Sequence, residues 1–311
     1  MEIRVAIGTA MALGLRKGTM SSQPVTAHLL TPGRCIYDCA YCTKARTSRS
    51  PQDFMCRITW PRYPESEVWR ALGEEGSRFK RICIQVVNQA GCIATVRKWL
   101  VEIRNLCDLP ISVEIRTGDS RVVGDLLLNG ADRIGLPLDV ASERLYPRMR
   151  GGDLHEALGF LESASQSFPG RTSTHIIVGL GESDRELMRV ARRILRRGVP
   201  LALFAFTPCK GTKLERRAPP TLERYRKIQI ATQLIAGDPN VTFEYDRAGG
   251  LVLPTFDRDE LLSILGKALL TRGCDGCNRP YYNERPGCPP YNYPEEPDEE
   301  RVRREMQAVV R

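Results

Sequence analysis

A chain of 311 residues, 42% hydrophobic and 27% charged, carries enough apolar mass for a full buried core, as one large domain or two small ones. No uncharged apolar run reaches membrane-spanning length, and Met1-Glu2-Ile3-Arg4 leads into a patch without signal-peptide layout, so a cytoplasmic, non-membrane protein is expected. The formal net charge of +9 points either to acidic partners (nucleic acid, acidic proteins, phosphate-bearing substrates) or simply to an arginine-rich composition, since no basic run of five or more occurs.

Residues 1–23 read as a leader segment broken by Gly8, Gly14 and Gly18. From there the pattern predicts strands over 26–30, 81–87, 111–116, 133–138, 175–180 and 201–206. Between them, amphipathic spacing predicts helices over 65–75, 94–106, 120–129, 154–168 and 185–197. Strand and helix alternating in this way define an α/β chain, a whole or partial parallel βα barrel over residues 24–215. In such barrels chemistry collects on the loops after the C-terminal ends of the strands. The remainder, 216–311, reads as a C-terminal extension. It has expected helices over 222–235 and 259–270, a short strand over 241–245, a Cys/Pro/Tyr-rich segment at 272–294, and a final exposed helix capped by Asp298.

Eleven cysteines, an odd number unevenly clustered, argue for a reducing compartment rather than a disulfide framework. Cys35, Cys39 and Cys42 form a C-x3-C-x2-C array immediately after the first predicted barrel strand. Thiolates are soft ligands suited to iron–sulfur clusters. Three of them can hold three irons of a 4Fe–4S cube and leave the fourth open to a small-molecule chelator. Zinc would want a fourth ligand close by, and no Cys or His follows in the next dozen residues. The array, with Tyr41 just before its third cysteine, resembles the signature of the radical S-adenosylmethionine (SAM) superfamily. That resemblance implies a six-stranded partial barrel, SAM on the open iron, and a 5′-deoxyadenosyl radical made with one electron from an external donor.

A second cluster, Cys274, Cys277 and Cys288, has C-x2-C-x10-C spacing within a proline-rich loop. Glycines 273 and 276 free the backbone to wrap a ligand, and prolines 280, 286, 289, 290 and 294 stiffen a segment that has no helix or strand of its own. Such a loop in a reducing compartment needs a metal staple, either zinc or a second iron–sulfur cluster, against the bland alternative of free thiols. Cys56, Cys92 or Cys209 could complete the set. Cys83 and Cys107 sit in apolar patterns and read as small core residues.

Over roughly residues 24–294 the chain resembles the biotin synthase and lipoyl synthase branch, and within it the biotin-synthase-related subunit of the split lipoyl synthase. The residues that carry this are the C-x3-C-x2-C loop, Gly179-Leu180-Gly181-Glu182, Lys210-Gly211-Thr212, and the run from Cys274 through Asn278-Arg279-Pro280-Tyr281-Tyr282-Asn283-Glu284-Arg285-Pro286-Gly287. The resemblance implies sulfur insertion at C6 or C8 of an octanoyl chain borne by a lipoyl carrier protein or domain. It also implies an auxiliary 4Fe–4S cluster as sulfur donor and a companion radical SAM subunit. Two cysteine clusters suit that chemistry, since the cluster that cleaves SAM cannot also be consumed as the sulfur source. A biotin-synthase-like enzyme on a small molecule stays open. An RNA methylthiolase is disfavoured because no RNA-binding domain follows the barrel, and a non-catalytic iron–sulfur carrier because a three-cysteine site leaves an iron open.

For SAM contacts the candidates are Tyr41, near the adenine by resemblance, and Gln89 in the turn 88–91, where the usual Gly-Gly-Glu is absent. Glu114 and Arg116 alternate with Val113 and Ile115, so both charges share one face and need a ligand or each other. Asp139 ends the fourth strand. The Gly179 and Gly181 backbone is expected to approach the ligand closely, while Glu182 reads as a helix-start carboxylate. Arg185, Arg189, Arg192, Arg193, Arg196 and Arg197 share one helical face, either a solvated outer surface or a dock for an acidic carrier or partner.

Overall fold

A computed structural model describes residues 1–279, 283 and 288–309. In chain order its first elements are β1 (Glu2–Val5), α1 (Ile7–Ala12), β2 (Thr26–Leu30), β3 (Phe54–Met55), β4 (Ile58–Thr59), β5 (Arg62–Pro64) and α2 (Glu65–Glu75). Next come β6 (Arg81–Gln85), α3 (Cys92–Arg104), β7 (Ile111–Glu114), α4 (Ser120–Leu128), β8 (Arg133–Gly135), α5 (Tyr146–Met149), α6 (Leu154–Ser167) and β9 (Thr172–Val178). The chain closes with α7 (Asp184–Leu195), β10 (Leu201–Ala205), α8 (Leu222–Gly237), β11 (Glu244–Tyr245), β12 (Leu251–Val252), α9 (Arg258–Ala268) and α10 (Glu299–Val309).

One eight-stranded sheet runs in the order β10-β9-β8-β7-β6-β2-β1-β5. The strands from β10 to β2 pair in parallel, which makes the partial βα barrel expected from the alternation. Two strands lie beyond that expectation: β1 pairs antiparallel with β2, and β5 with β1. The segment read as a leader therefore contributes a strand inserted between β2 and the edge strand β5, with Ile3 and Val5 fully buried. Four residues before a run of glycines are too few for a periodicity to register.

Register explains why the barrel is both stable and hollow. Ala27, Leu29, Ile82, Ile84, Ile111, Val113, Ile134, Ile176 and Leu203 all join the apolar core, which includes Val96, Trp99 and Leu100 of α3. Burying each such large side chain stabilises the fold by about 1.5–3 kcal/mol. The alternate positions are Thr26, Cys83, Ser112, Glu114, Ser173 and His175, and these line a cavity inside the barrel. An ordinary barrel fills this bore with bulky branched residues. Here polar groups occupy it.

The C-terminal helices are not a detached unit. Tyr225, Ile228, Ala231 and Ile235 of α8 belong to the barrel's core cluster, and the Tyr225 hydroxyl donates to the Leu203 carbonyl (2.9 Å). Asp298 caps α10 as expected, accepting from Arg301 N–H (2.8 Å). Pro280 and Pro286, the motif residues 280–282 and 284–287, and the last two residues of the expected final helix lie outside the described residues.

Candidate active site

The cysteine loop leaves the C-terminal end of β2 without regular structure, so backbone hydrogen bonds from several elements hold it. Cys35 N–H donates to Lys44 O (2.9 Å), Ile36 N–H to Asn88 O (2.7 Å), Ala40 N–H to Met149 O (2.7 Å) and Cys42 N–H to Cys39 O (3.1 Å). Arg49 N–H donates to Gly211 O (2.8 Å), tying the loop to the segment after β10. Gly211 has φ +86°, and a Cβ there would collide with the backbone of Arg49 and Ser50.

The three thiols of this loop are electrostatic neighbours. Burial pushes the Cys35 thiol up, and burial with the neighbouring Cys39 pushes Cys42 up to about 12. A buried thiolate is costly unless a cation meets it, and bound metal is such a cation. Two donors already aim at the sulfurs: Lys44 N–H at Cys42 Sγ (3.4 Å) and Arg116 Nη1 at Cys39 Sγ (3.6 Å). Among the described residues no three His, Cys, Asp or Glu side chains converge on a single metal ion. A 4Fe–4S cube puts each thiolate on a different iron and leaves the fourth iron open, which suits three cysteines carried by one loop.

Behind the loop lies a charged network. Tyr41 donates its hydroxyl to Asp139 Oδ2 (2.6 Å), His175 Nε2 donates to Oδ1 (2.8 Å), and the Arg150 guanidinium pairs with the same carboxylate. Burial opposes ionisation of Asp139, yet Arg150 and His175 together hold its carboxyl well below the usual range. Burial and the Asp139 charge push the Tyr41 hydroxyl up. Asp139 stands at φ +60°, a left-handed conformation that Asp and Asn tolerate better than most residues. Arg150 and His175 escaped the sequence reading, because nothing in their local pattern marks them as partners of Asp139.

Glu114 and Arg116 share a face but do not pair with each other. Arg116 donates to the carbonyls of Arg150 (2.8 Å) and Gly151 (2.6 Å) and stacks 3.8 Å over the Tyr37 ring. Glu114 Oε2 lies 3.8 Å from His175 Nδ1, in space that Gly135 clears, since a Cβ at 135 would overlap its carboxylate. Gln89 donates to Pro32 O (2.8 Å), placing the 88–91 turn against the start of the cysteine loop. Gly179 and Gly181 have positive φ, but a Cβ on either would strike Pro220 or Arg217. Their freedom thus accommodates the 217–220 segment. Glu182 accepts from Gly179 N–H (2.8 Å) and pairs with Arg224 (3.0 Å), while Ser183 and Glu186 form the capping box of α7.

The second thiol group sits at the opposite end of the bore. Cys274 and Cys277 line the cavity beside Thr26, Arg81 and Ser112, near the N-terminal ends of β2, β6 and β7, and so does Cys83. Burial pushes the Cys274 thiol up and Cys277 up to about 11, and burial with the neighbouring Glu114 charge pushes Cys83 up as well. Cys288 is exposed and is not among the lining residues. Cys56 and Cys209 hydrogen-bond each other on the Cys42 side of the barrel, and Cys92 opens α3. The arginine face of α7 is partly engaged: Arg193 pairs with Glu162 (2.7 Å), Arg192 donates to Pro239 O (2.6 Å) and Arg185 stacks 4.2 Å over Tyr245.

A profile of the Radical SAM superfamily matches residues 29–194. No curated protein matches the sequence. Similar solved folds include methylornithine synthase (PylB), with TM-score 0.53 and 15% identity over 75% of this chain and 68% of that one. The FeFe-hydrogenase maturase HydG from Carboxydothermus hydrogenoformans gives 0.54 and 15% over 74% of this chain and 56% of that one. Streptococcus suis SuiB bound to S-adenosylmethionine gives 0.52 and 11% over 69% and 48%. The chain thus spans about half the length of the last two, and at these identities the likeness is one of fold. No helix among the described residues is long and apolar enough to cross a membrane.

Proposed function

Since this chain belongs to the radical SAM superfamily, whose members use a 4Fe–4S cluster and SAM, we propose that it is a sulfur-inserting member of that superfamily. Its substrate would be an octanoyl chain on a lipoyl carrier protein or domain, and Cys274 and Cys277 would anchor a second iron–sulfur group as sulfur source. When bound and reduced by one electron, the cluster and SAM supply a 5′-deoxyadenosyl radical that removes a hydrogen atom from an unactivated carbon.

One observation supports this reading above the rest. The barrel carries two separate groups of thiols, Cys35, Cys39 and Cys42 in the loop after the C-terminal end of β2, and Cys274 and Cys277 in a turn fastened near the N-terminal ends of β2 and β6. Cys35, Cys39 and Cys42 would hold the SAM-binding cluster, with Arg116 and the Lys44 amide donating toward sulfur. Tyr41, Asp139, Arg150 and His175 form a rigid wall whose charge is balanced internally. Gln89, in the turn against the start of the cysteine loop, and Glu114, 3.8 Å from His175 Nδ1, would offer polar groups to SAM. The α7 arginines border a groove of about 750 Å³, a surface of the right sign for an acidic carrier domain or a companion subunit.

The test is to incubate anaerobically reconstituted protein with SAM, a reductant and an octanoyl-lysyl peptide, with and without a candidate companion subunit, and read the products by mass spectrometry. Sulfur-bearing peptide together with 5′-deoxyadenosine is expected. 5′-Deoxyadenosine without sulfur on the peptide would reject the octanoyl substrate and direct attention to a biotin-synthase-like reaction on a small molecule.

A further inference from the structure

We propose that Cys83, Cys274 and Cys277 together form one thiolate site for a compact iron–sulfur group, closing the end of the bore away from the Cys35–Cys42 loop. This rests on the reading of Cys274 and Cys277 as ligands of a second iron–sulfur group, and it replaces the exposed Cys288 with a barrel-strand cysteine as the third ligand.

The turn carrying Cys274 and Cys277 is fastened across the mouth of the barrel. Thr26 Oγ1 donates to Gly276 O (3.2 Å) and Arg81 Nε to Asp275 O (3.0 Å). The Asn278 side chain accepts from Val25 N–H (3.0 Å) and donates to Gln23 O (2.8 Å). Gly276, at φ +75°, lets the turn pass close to Lys80, where a Cβ would come to 3.0 Å of the Lys80 Cβ. So fastened, Cys274 Sγ accepts from Ser112 Oγ (3.1 Å), and Ser112 is the cross-strand partner of Cys83 in the parallel β6–β7 pair. Neighbouring strands lie about 4.8 Å apart, so the three thiols occupy one small region.

An inert core cysteine would point outward with Ile82 and Ile84, into the helix-facing layer. Cys83 alternates with them and faces the bore. Arg81, Arg272 and Arg279 line the same cavity, supplying positive charge against a thiolate-rich group. The free space is about 40 Å³, room for a few atoms and too small for an organic ligand.

The experiment starts from a Cys35→Ala/Cys39→Ala/Cys42→Ala variant, in which only the second site can hold iron. After anaerobic reconstitution, iron and acid-labile sulfide per chain are counted, and absorption and electron paramagnetic resonance spectra are recorded before and after reduction. Adding Cys83→Ala, Cys274→Ala or Cys277→Ala is expected to lower bound iron several-fold and abolish the reduced-state signal, while Cys288→Ala leaves both unchanged. Retention of iron and signal in the Cys83→Ala background, loss of them in Cys288→Ala, or no second-site iron in the starting variant would each overturn the proposal. Because Cys83→Ala could act by misfolding, the same substitution is made in the native chain, where iron at the first cluster and SAM binding must persist; their loss would count against Cys83 as a ligand. None of these readouts depends on sulfur insertion. Failure of the octanoyl-peptide assay with these spectra intact would reject the proposed activity alone.

Discussion

Asp139 shows how a single side chain can organise one end of a barrel. Its carboxylate is nearly inaccessible and serves Tyr41, Arg150 and His175 at once. The residue was legible in the sequence as a polar strand terminus, but its partners were not, because they come from three other places in the chain. Removing one member of a buried ion pair leaves the other charged and desolvated, which costs about 3–5 kcal/mol. Asp139→Asn preserves the shape and tolerates the left-handed backbone, so denaturant unfolding should report a loss of that size. A loss under about 1 kcal/mol, the range of exposed pairs, would mean that the network adds nothing to stability. Cys83 teaches the complementary lesson. Its neighbours in sequence are apolar, so it reads as core. Only the pleat, and the C-terminal turn that comes to meet it, give it a polar setting.

Secondary elements were legible wherever a strong period ran long enough. The helices over 65–75 and 120–128 and the strand over 26–30 match their expectations closely. Short pieces such as β3, β4 and β5 escaped, since two or three residues carry no period. The α8–α10 contact was also hidden, because no local pattern shows a buried arginine. Arg226 is fully buried, donates to Pro290 O (2.6 Å) and the Tyr291 carbonyl, and pairs with Glu305 of α10 (2.7 Å), which also accepts from Tyr293 (2.8 Å). Glu305→Ala should cost about 3–5 kcal/mol by orphaning that guanidinium, and limited proteolysis should then cut near α10 first. The double variant Arg226→Met/Glu305→Leu should recover much of the loss. If it is as unstable as Glu305→Ala alone, the orphaned charge is not the cause.

At the scale of the whole molecule, global stability carries a pH signature from His28, which accepts from Arg279 Nε (3.3 Å) in the bore. Burial, and then the Arg279 charge, hold its value down to about 3. The unfolded chain, with an ordinary histidine near 6.5, therefore takes up its proton first as pH falls. Stability from this residue is complete above about pH 6.5 and is lost as pH drops from there toward about 3. Unfolding free energy measured on metal-free chain at pH 7 and pH 5 should fall more steeply for the native sequence than for His28→Gln; equal slopes would assign the acid sensitivity elsewhere. By itself the sequence determined the barrel class and marked out the C-x3-C-x2-C loop, because alternation, turn residues and tight cysteine spacing are local signals. The tertiary structure alone decided which polar side chains share the bore, that Cys274 and Cys277 meet Cys83 there, and that Glu114 and Arg116 take separate partners. Those pairings join residues as many as 251 positions apart (His28 and Arg279), and contacts at that range are set by strand register and chain closure, which no local periodicity encodes.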